Sequence, residues 1–288
     1  MKFVKGFMGK THALLSIMLF CLCMLIPVDF FQTTIGIMKH EILFFIGGIV
    51  VLVGGALLPD LDNAQSAAGS TLGPLGSICT TFMQTTSSIT WNLLHGKGDK
   101  MPPTQHRYLW HTLLIGSGIF CLFYFGMPKG EATILASIKE ADNFGTWLQG
   151  NSIIIFFIIV IFMAILVGSD MIFSKIIKVF HIRYLKLLNY IFPVLMLVYL
   201  FVLDMDHLRI LGMCLGMGYI FHPIEDCFAD EGVPILFPIP IAKNRLWKRL
   251  KTPLTVKTGS LANTILDIII LVIDVGLIVL IMATKTTM

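Results

Sequence analysis

Long apolar runs alternate with short polar segments along the chain, and seven of these runs are apolar enough to predict membrane-spanning helices. A helix that crosses a bilayer needs about 20 mostly apolar residues. The runs cover residues 12–30, 41–59, 108–127, 152–173, 186–203, 208–222 and 262–283. The sixth run, ILGMCLGMGYIF, is short and rich in glycine, which is typical of a helix packed closely against its neighbours. We therefore expect an all-α, polytopic membrane helix bundle that forms a single domain over residues 1–288.

One segment between the second and third predicted spans follows a different pattern. The sequence TLGPLGSICTTFMQTTSSITWNLLHG is amphiphilic and carries no Asp, Glu, Lys or Arg. Such a segment is typical of an interfacial or re-entrant element, and a helical conformation fits it. An ordinary polar loop is the alternative.

Composition supports the membrane assignment. The chain is 56% hydrophobic and 13% charged, and its mean hydropathy is +0.85, whereas soluble domains carry about 25% charged residues. Lipid must therefore cover much of the surface, and the same values exclude a disordered chain. The net charge of +4 is modest, and no nucleic-acid partner is expected.

The distribution of positive charge predicts the orientation in the membrane. Cytoplasmic loops are enriched in Lys and Arg. Seven spans put the N-terminus, residues 174–186 and the loops 60–107 and 223–261 on one face, which holds 16 of the 21 Lys and Arg residues. The expected N-terminus is therefore cytoplasmic, and the expected C-terminus lies outside.

Four span ends on this cytoplasmic face carry His or Asp side chains. These residues are His12, Asp60, Asp62, His106, His111, His222 and Asp226. The H-x-x-x-D spacing stacks two side chains on one helical face, and D-x-D in an extended chain directs two carboxylates the same way. His106 fits the loop before the third span, and His95 is a reserve candidate on the same face.

Imidazole and carboxylate ligands together favour zinc, manganese or iron. Seven such side chains are too many for one tetrahedral zinc. They fit one or two divalent ions that share an Asp and keep open positions for water. We therefore predict a metal centre, most simply a zinc centre, at the cytoplasmic ends of the spans.

Four motifs, THALLS, LLPDLDN, HRYLWHTLL and HPIEDCFADEGVPILFP, resemble in order those of the YdjM-like inner-membrane metal-dependent hydrolases. The resemblance implies the same seven metal-site residues, an inner-membrane location and Arg107 as a clamp for an anionic group. The chain departs from the family pattern at five positions near these motifs, which favours a shifted substrate. These positions are Tyr108, Trp110, Thr112, Ala229 and Asn263.

The expected function is a metal-dependent hydrolase that acts at the cytoplasmic membrane interface on a lipid-borne phosphoester, through water activated by the metal. Arg107 would hold the phosphate bidentately, and Asp62 or His106 would move a proton. Which residues act as ligands and which as acid or base stays open. The basic run KNRLWKRLKTP over 243–253 would attract anionic lipid.

Two other functions use the same residues. A divalent-metal transporter or metal sensor would need a path of acids across the membrane, and Asp170, Asp267 and Asp274 are candidates for it. Alternatively, these acids form hydrogen bonds that fix helix packing. Apart from Asp29 at the end of the first, the first, third and sixth spans lack acids, which favours hydrolysis over transport. A membrane scaffold with a structural metal is the third reading.

Overall fold

The structure is a computed structural model that describes residues 9–99, 107–127, 133–140, 143–180, 187–229, 231–240, 246–253 and 260–284. The side chains of residues 39–40, 140, 144, 146, 149 and 175–180 are not described. Within these ranges the regular elements are helical, as the sequence predicts. The α-helices are α1 (Gly9–Met24), α2 (Asp29–His40), α3 (Ile42–Leu57), α4 (Ala67–Leu72), α5 (Pro74–Leu93), α6 (Leu113–Phe125), α7 (Ile134–Glu140), α8 (Phe144–Gly150), α9 (Ser152–Phe180), α10 (Leu188–Val202), α11 (Met205–Asp226) and α12 (Leu261–Ala283). Two 3-10 segments, Leu58–Asp62 and Leu109–His111, follow α3 and precede α6.

Helix α11 lies at the centre of the fold, packed on α3, α6 and α1. Its glycines allow close approach: a Cβ at Gly218 would lie 2.1 Å from the carbonyl oxygen of Leu52 on α3. At Gly216, a Cβ would lie 2.6 Å from the Cα of Phe120 on α6. The expectation of tight packing for the glycine-rich run is confirmed.

Three helical segments are long and apolar enough to cross a membrane, namely Ile42–Asp62, Ser152–Ser174 and Leu261–Ala283. A fourth candidate arises if α1 and the beginning of α2 count as one broken span. Helices α6 and α10 are apolar but shorter, and α11 does not qualify although it has 22 residues. The described chain thus contains three or four candidate spans, and the number seven stays a prediction.

The first predicted span, residues 12–30, is not one continuous helix. Helix α1 ends at Met24, and α2 leaves it at an angle of 115°. Pro27 lies in the break; its ring removes a backbone N–H and disfavours helical dihedrals at the preceding residue. By contrast, α10 ends at Val202 and α11 begins at Met205, so a helix break lies where the sequence predicts the division between the fifth and sixth spans; that both helices cross the membrane stays a prediction. Asp204 accepts a hydrogen bond from the backbone N–H of His207 and thereby caps α11.

The uncharged segment after α3 is helical, so the polar-loop alternative is wrong. It forms the short helix α4 and the 20-residue helix α5. Helix α5 packs on the 3-10 segment, where Thr80 donates to the carbonyl oxygen of Leu61 at 2.5 Å and Gln84 donates to that of Asp62 at 2.8 Å. This contact fixes the backbone that carries the D-x-D motif.

Candidate metal centre

Four segments converge at the C-terminal end of α11: the first turns of α1, the 3-10 segment Leu58–Asp62, the segment from Arg107 to His111, and α11 itself. The D-x-D motif lies on the 3-10 segment rather than in an extended chain, so that detail of the prediction is wrong. Pro59 at the start of the segment favours this turn because its fixed φ is preorganised for a helical start. Asp62 is buried, whereas the side chain of Asp60 keeps 15% of its surface exposed.

The end of α11 contributes His222 and Asp226, which lie one turn apart on the same face, as the H-x-x-x-D spacing predicts. His222 Nε2 lies 3.3 Å from Asp226 Oδ2. The other ring nitrogen, Nδ1, lies 2.6 Å from the carbonyl oxygen of Ala56 on α3. A carbonyl only accepts, so Nδ1 carries a proton, and Nε2 is the ring nitrogen that faces the cluster.

His111 lies between two carboxylates just before α6. Its Nδ1 is 2.8 Å from Asp226 Oδ2, and its Nε2 is 3.4 Å from Asp62 Oδ2. The same Nδ1 lies 3.1 Å from His222 Nε2. Thr112, the next residue, caps α6 and fixes the position of this turn. His111 therefore joins the D-x-D segment to the end of α11.

His12 enters the cluster from the first turn of α1. Its ring stacks on that of His222 with centroids 4.1 Å apart, and its Nε2 lies 3.6 Å from Asp226 Oδ1. Its Nδ1 lies 2.7 Å from Glu225 Oε2, and Ser16 donates to Glu225 Oε1 at 2.8 Å.

Glu225 and Ser16 belong to this site but were not among the residues predicted from the sequence. The available signal was a second acid directly before Asp226. Ser16 lies one turn after His12, so the two side chains share the face of α1 that meets α11. Ser16 holds the Glu225 carboxylate, and Glu225 in turn fixes the orientation of the His12 ring.

Arg107 reaches the cluster through both its backbone and its side chain. Its N–H donates to Asp62 Oδ2 at 2.9 Å, and its Nη2 lies 3.1 Å from Asp226 Oδ1. Its φ is 63°, a left-handed conformation that costs on the order of 1 kcal/mol for a residue with a Cβ. The Nε and Nη1 atoms are buried and have no hydrogen-bond acceptor within the described part of the chain.

The charge of Arg107 is secured by its surroundings. Burial by itself lowers the pKa of this guanidinium, but the carboxylates of Asp226, Asp60, Glu231 and Asp62 outweigh burial and raise the pKa above its ordinary value. The side chain is therefore a permanent cation inside a cluster of acids, with donor atoms still available.

An aromatic cluster borders the segment that follows Arg107. Trp247 stacks on Phe237 at 3.8 Å between ring centroids and donates to the carbonyl oxygen of Leu94 at 2.6 Å. Tyr108 and Trp91 complete this cluster, and the guanidinium of Arg249 lies 5.0 Å above the Tyr108 ring. Trp247 thus connects three loops. Residues 243–245 of the basic run lie outside the described residues.

Comparison with known proteins gives one match. The family model of the YdjM inner membrane protein matches residues 7–180, which is more than half of the chain. The chain belongs to the YdjM inner membrane protein family. No curated protein matches it, and no solved structure does. The matched range contains His12, the D-x-D motif and His111 but ends before α11, so the inclusion of His222 and Asp226 in the candidate site rests on the geometry.

The described residues include two groups of side chains that could hold a metal ion. One group comprises His12, Asp60 and His222, and the other comprises His111, His222 and Asp226; within each group the ligand atoms lie within 4.8 Å of one another. His222 belongs to both groups. Buried carboxylates that outnumber the nearby cations are costly unless positive charge compensates them, so this donor set fits a divalent ion.

His106 and His95 are the other two histidines that the sequence proposes for the site. His106 falls outside the described residues. The reserve candidate His95 is exposed, stacks on Trp91 and lies 2.9 Å from the Trp91 carbonyl oxygen through its Nδ1. It therefore belongs to the aromatic cluster of this YdjM protein and to neither of the two ligand groups.

The membrane acids of the YdjM chain divide into two kinds. Asp267 accepts hydrogen bonds from Thr11 and Asn263 and forms an ion pair with Lys10, so it joins α12 to α1. Asp170 accepts from Thr71, Ser174 and Asn189 and joins α4, α9 and α10. Asp274 is buried, and neither of its carboxylate oxygens has a hydrogen-bond partner among the described residues.

Proposed function

We propose that this protein is a metal-dependent hydrolase that cleaves a lipid-borne phosphoester at the cytoplasmic membrane interface. The observation that carries the proposal is the position of Arg107 directly beside two ligand groups that share His222. Arg107 is a buried cation, and two of its donor atoms have no acceptor among the described residues. Zinc is the expected ion, with manganese or iron as alternatives, and one or two ions would bind.

The residues of the candidate site have different roles in this proposal. The metal would be held by His12, Asp60, His111, His222 and Asp226. When bound, a divalent ion supplies Lewis-acid activation of water and neutralises developing charge. Arg107 would bind an anionic phosphoryl oxygen through Nε or Nη1, because a guanidinium donates strong, charge-assisted hydrogen bonds to phosphate. Asp62, with its Oδ2 near both Arg107 and His111, would orient these groups or accept a proton, as His106 would in the alternative assignment.

Access to the site supports a substrate that arrives at the membrane surface. Of the carboxylates in the cluster, Asp60 is the one that keeps measurable exposure, while Asp62 and Asp226 are buried. Asp60 lies near the end of the candidate span Ile42–Asp62, where the hydrocarbon region ends. In this proposal seven spans cross the membrane, with the N-terminus in the cytoplasm and the C-terminus outside.

The proposal is tested by hydrolysis in reconstituted vesicles. Purified protein loaded with zinc or manganese would be given a series of lipid phosphates and phosphodiesters, and the released phosphate or headgroup would be measured. Metal-dependent release that is lost in Asp62→Asn would support the proposal. Metal-loaded protein that cleaves no member of the series would refute the phosphoester assignment.

A divalent-metal transporter is the second candidate, and Asp274 favours it, because a buried carboxylate without a hydrogen-bond partner in the described structure is costly to keep inside a membrane. Asp267 and Asp170, in contrast, are engaged in helix packing. Transport predicts metal uptake into proteoliposomes that Asp274→Asn abolishes. Hydrolysis predicts that Asp274→Asn leaves both metal content and turnover unchanged.

A further inference from the structure

Helix α5 has three distinct faces. On a helix of 3.6 residues per turn, five large apolar side chains fall within about 60° of arc. These are Leu75, Ile78, Phe82, Ile89 and Leu93, and all five are exposed, from 44% for Leu75 to 75% for Leu93. We call these five residues the apolar stripe of α5.

A second face of α5 packs on the protein, and a third is polar. The buried face carries Gly76, Thr80, Met83, Ser87 and Trp91. The polar face carries four exposed residues, Ser77, Thr81, Thr85 and Asn92. The polar face lies between the buried face and the apolar stripe, so one side of the helix suits water and another suits an apolar phase.

The position of α5 along the membrane normal follows from its hydrogen bonds. Thr80 and Gln84, in the middle of the helix, donate to the carbonyl oxygens of Leu61 and Asp62. Leu61 and Asp62 are the last two residues of the candidate span Ile42–Asp62. A span ends where the hydrocarbon gives way to headgroups, so the centre of α5 lies at that level.

Helix α5 does not have the character of a span itself. It has 20 residues, enough for about 30 Å, yet it is not among the helices apolar enough to cross. Much of its circumference carries hydroxyl and amide side chains, including the exposed Ser77, Thr85 and Asn92, which suit water better than hydrocarbon. The helix contains no charged residue. Electrostatic attraction to lipid headgroups therefore does not explain why its apolar side chains lie on the surface.

We propose that α5 lies in the plane of the membrane interface, with its apolar stripe inserted at the boundary between headgroups and acyl chains and its polar face in water. The occupant of the stripe is the lipid bilayer, in agreement with a chain of an inner membrane family. Trp110, whose indole N–H donates to Met83 and Thr86 of α5, suits the same level, because Trp is enriched at membrane interfaces.

This placement connects the bilayer to the metal centre. Side chains on the protein-facing side of α5 donate hydrogen bonds to the carbonyl groups of Leu61 and Asp62. In this placement the apolar stripe, on another face, contacts lipid. The bilayer would therefore support the turn that presents Asp60 and Asp62. The inference goes beyond the proposed hydrolysis and does not depend on it.

Spin labels on the two exposed faces test the placement. In a variant whose six cysteines are replaced, labels would be attached after Ile78→Cys, Phe82→Cys and Ile89→Cys, with Ser77→Cys, Thr81→Cys and Asn92→Cys as matched controls on the same helix. The protein would be reconstituted into phosphatidylcholine vesicles, and collisions with oxygen and with a water-soluble nickel chelate would be compared. We expect oxygen to dominate at the first three sites and the nickel chelate at the other three.

Three results would overturn the proposal: nickel access at all six sites, oxygen dominance at all six sites, or protein–protein cross-links formed specifically from the stripe. The first would mean a solvated helix, the second an immersed one and the third a protein partner. If the cysteine-free variant does not fold, the photo-reactive residue benzoylphenylalanine can replace Phe82 or Thr81 in the otherwise unchanged protein. Its adducts then show which face of α5 contacts lipid. Lipid adducts at Phe82 and none at Thr81 are expected, and adducts at neither or at both would contradict the placement.

Discussion

Glu225 and His12 form a buried pair across the α1–α11 contact, with 2.7 Å between Oε2 and Nδ1. A carboxylate accepts from Nδ1–H, so the pair leaves Nε2 of His12 directed at Asp226. Carboxylates that hold a histidine in this way are common behind metal ligands and set both the tautomer and the ring orientation. Glu225 is thus a positioning residue for the candidate metal centre.

Replacing Glu225 with Gln should weaken metal binding without unfolding the protein. The amide keeps the shape but accepts a weaker hydrogen bond from His12, and such changes typically lower metal affinity about 10-fold. Competition with a fluorescent chelator in detergent would measure the affinity. Glu231→Gln is the matched control, since Glu231 is exposed and pairs only loosely with Arg249 at 3.7 Å. Equal affinities for wild type and Glu225→Gln would remove the positioning role.

The ligand assignment predicts a stoichiometric metal that specific substitutions remove. Elemental analysis of the purified protein should find about one or two zinc or manganese ions per chain, the number such a donor set holds. His222→Ala should lose all of them because His222 belongs to both ligand groups. His95→Ala, a histidine in the aromatic cluster, should retain them. If the wild-type protein binds no metal after reconstitution with each ion, the cluster is a hydrogen-bonded contact between helices and not a metal centre.

Arg107→Lys should impair catalysis more than metal binding. Lysine keeps the charge but loses the planar set of donors, of which Nε and Nη1 are unused in the described structure. Losing one hydrogen bond to a charged group costs about 2 kcal/mol, which corresponds to a decrease in kcat/KM of roughly 30-fold. The measurement is kcat/KM for the best lipid phosphoester, with metal content determined in parallel. Unchanged kcat/KM would exclude Arg107 from substrate binding.

Gly218→Ala should destabilise the fold and disturb the metal centre together. The new Cβ would lie 2.1 Å from the carbonyl oxygen of Leu52, and backbone at this contact cannot move aside cheaply. Overpacking of this kind costs about 2 kcal/mol, so thermal unfolding in detergent should occur at a lower temperature. Gly276→Ala on α12 is the control, because nothing lies within 4 Å of its added Cβ. If both variants unfold like wild type, α11 does not pack on α3 as described.

The sequence by itself determined the helical membrane class, the main apolar helices and the H-x-x-x-D face, because these depend on composition and on local periodicity. It also singled out the side chains that the structure brings together at the end of α11; their role as ligands stays a prediction. Tertiary structure alone decided the 115° angle at which α2 leaves α1, the contact of α5 with the turn that carries Asp60 and Asp62, the left-handed conformation of Arg107 and the pairing of Glu225 with His12. These features depend on which backbone and side-chain groups meet when glycine-lined helices pack closely, and such contacts join residues far apart in sequence, where local patterns carry no information.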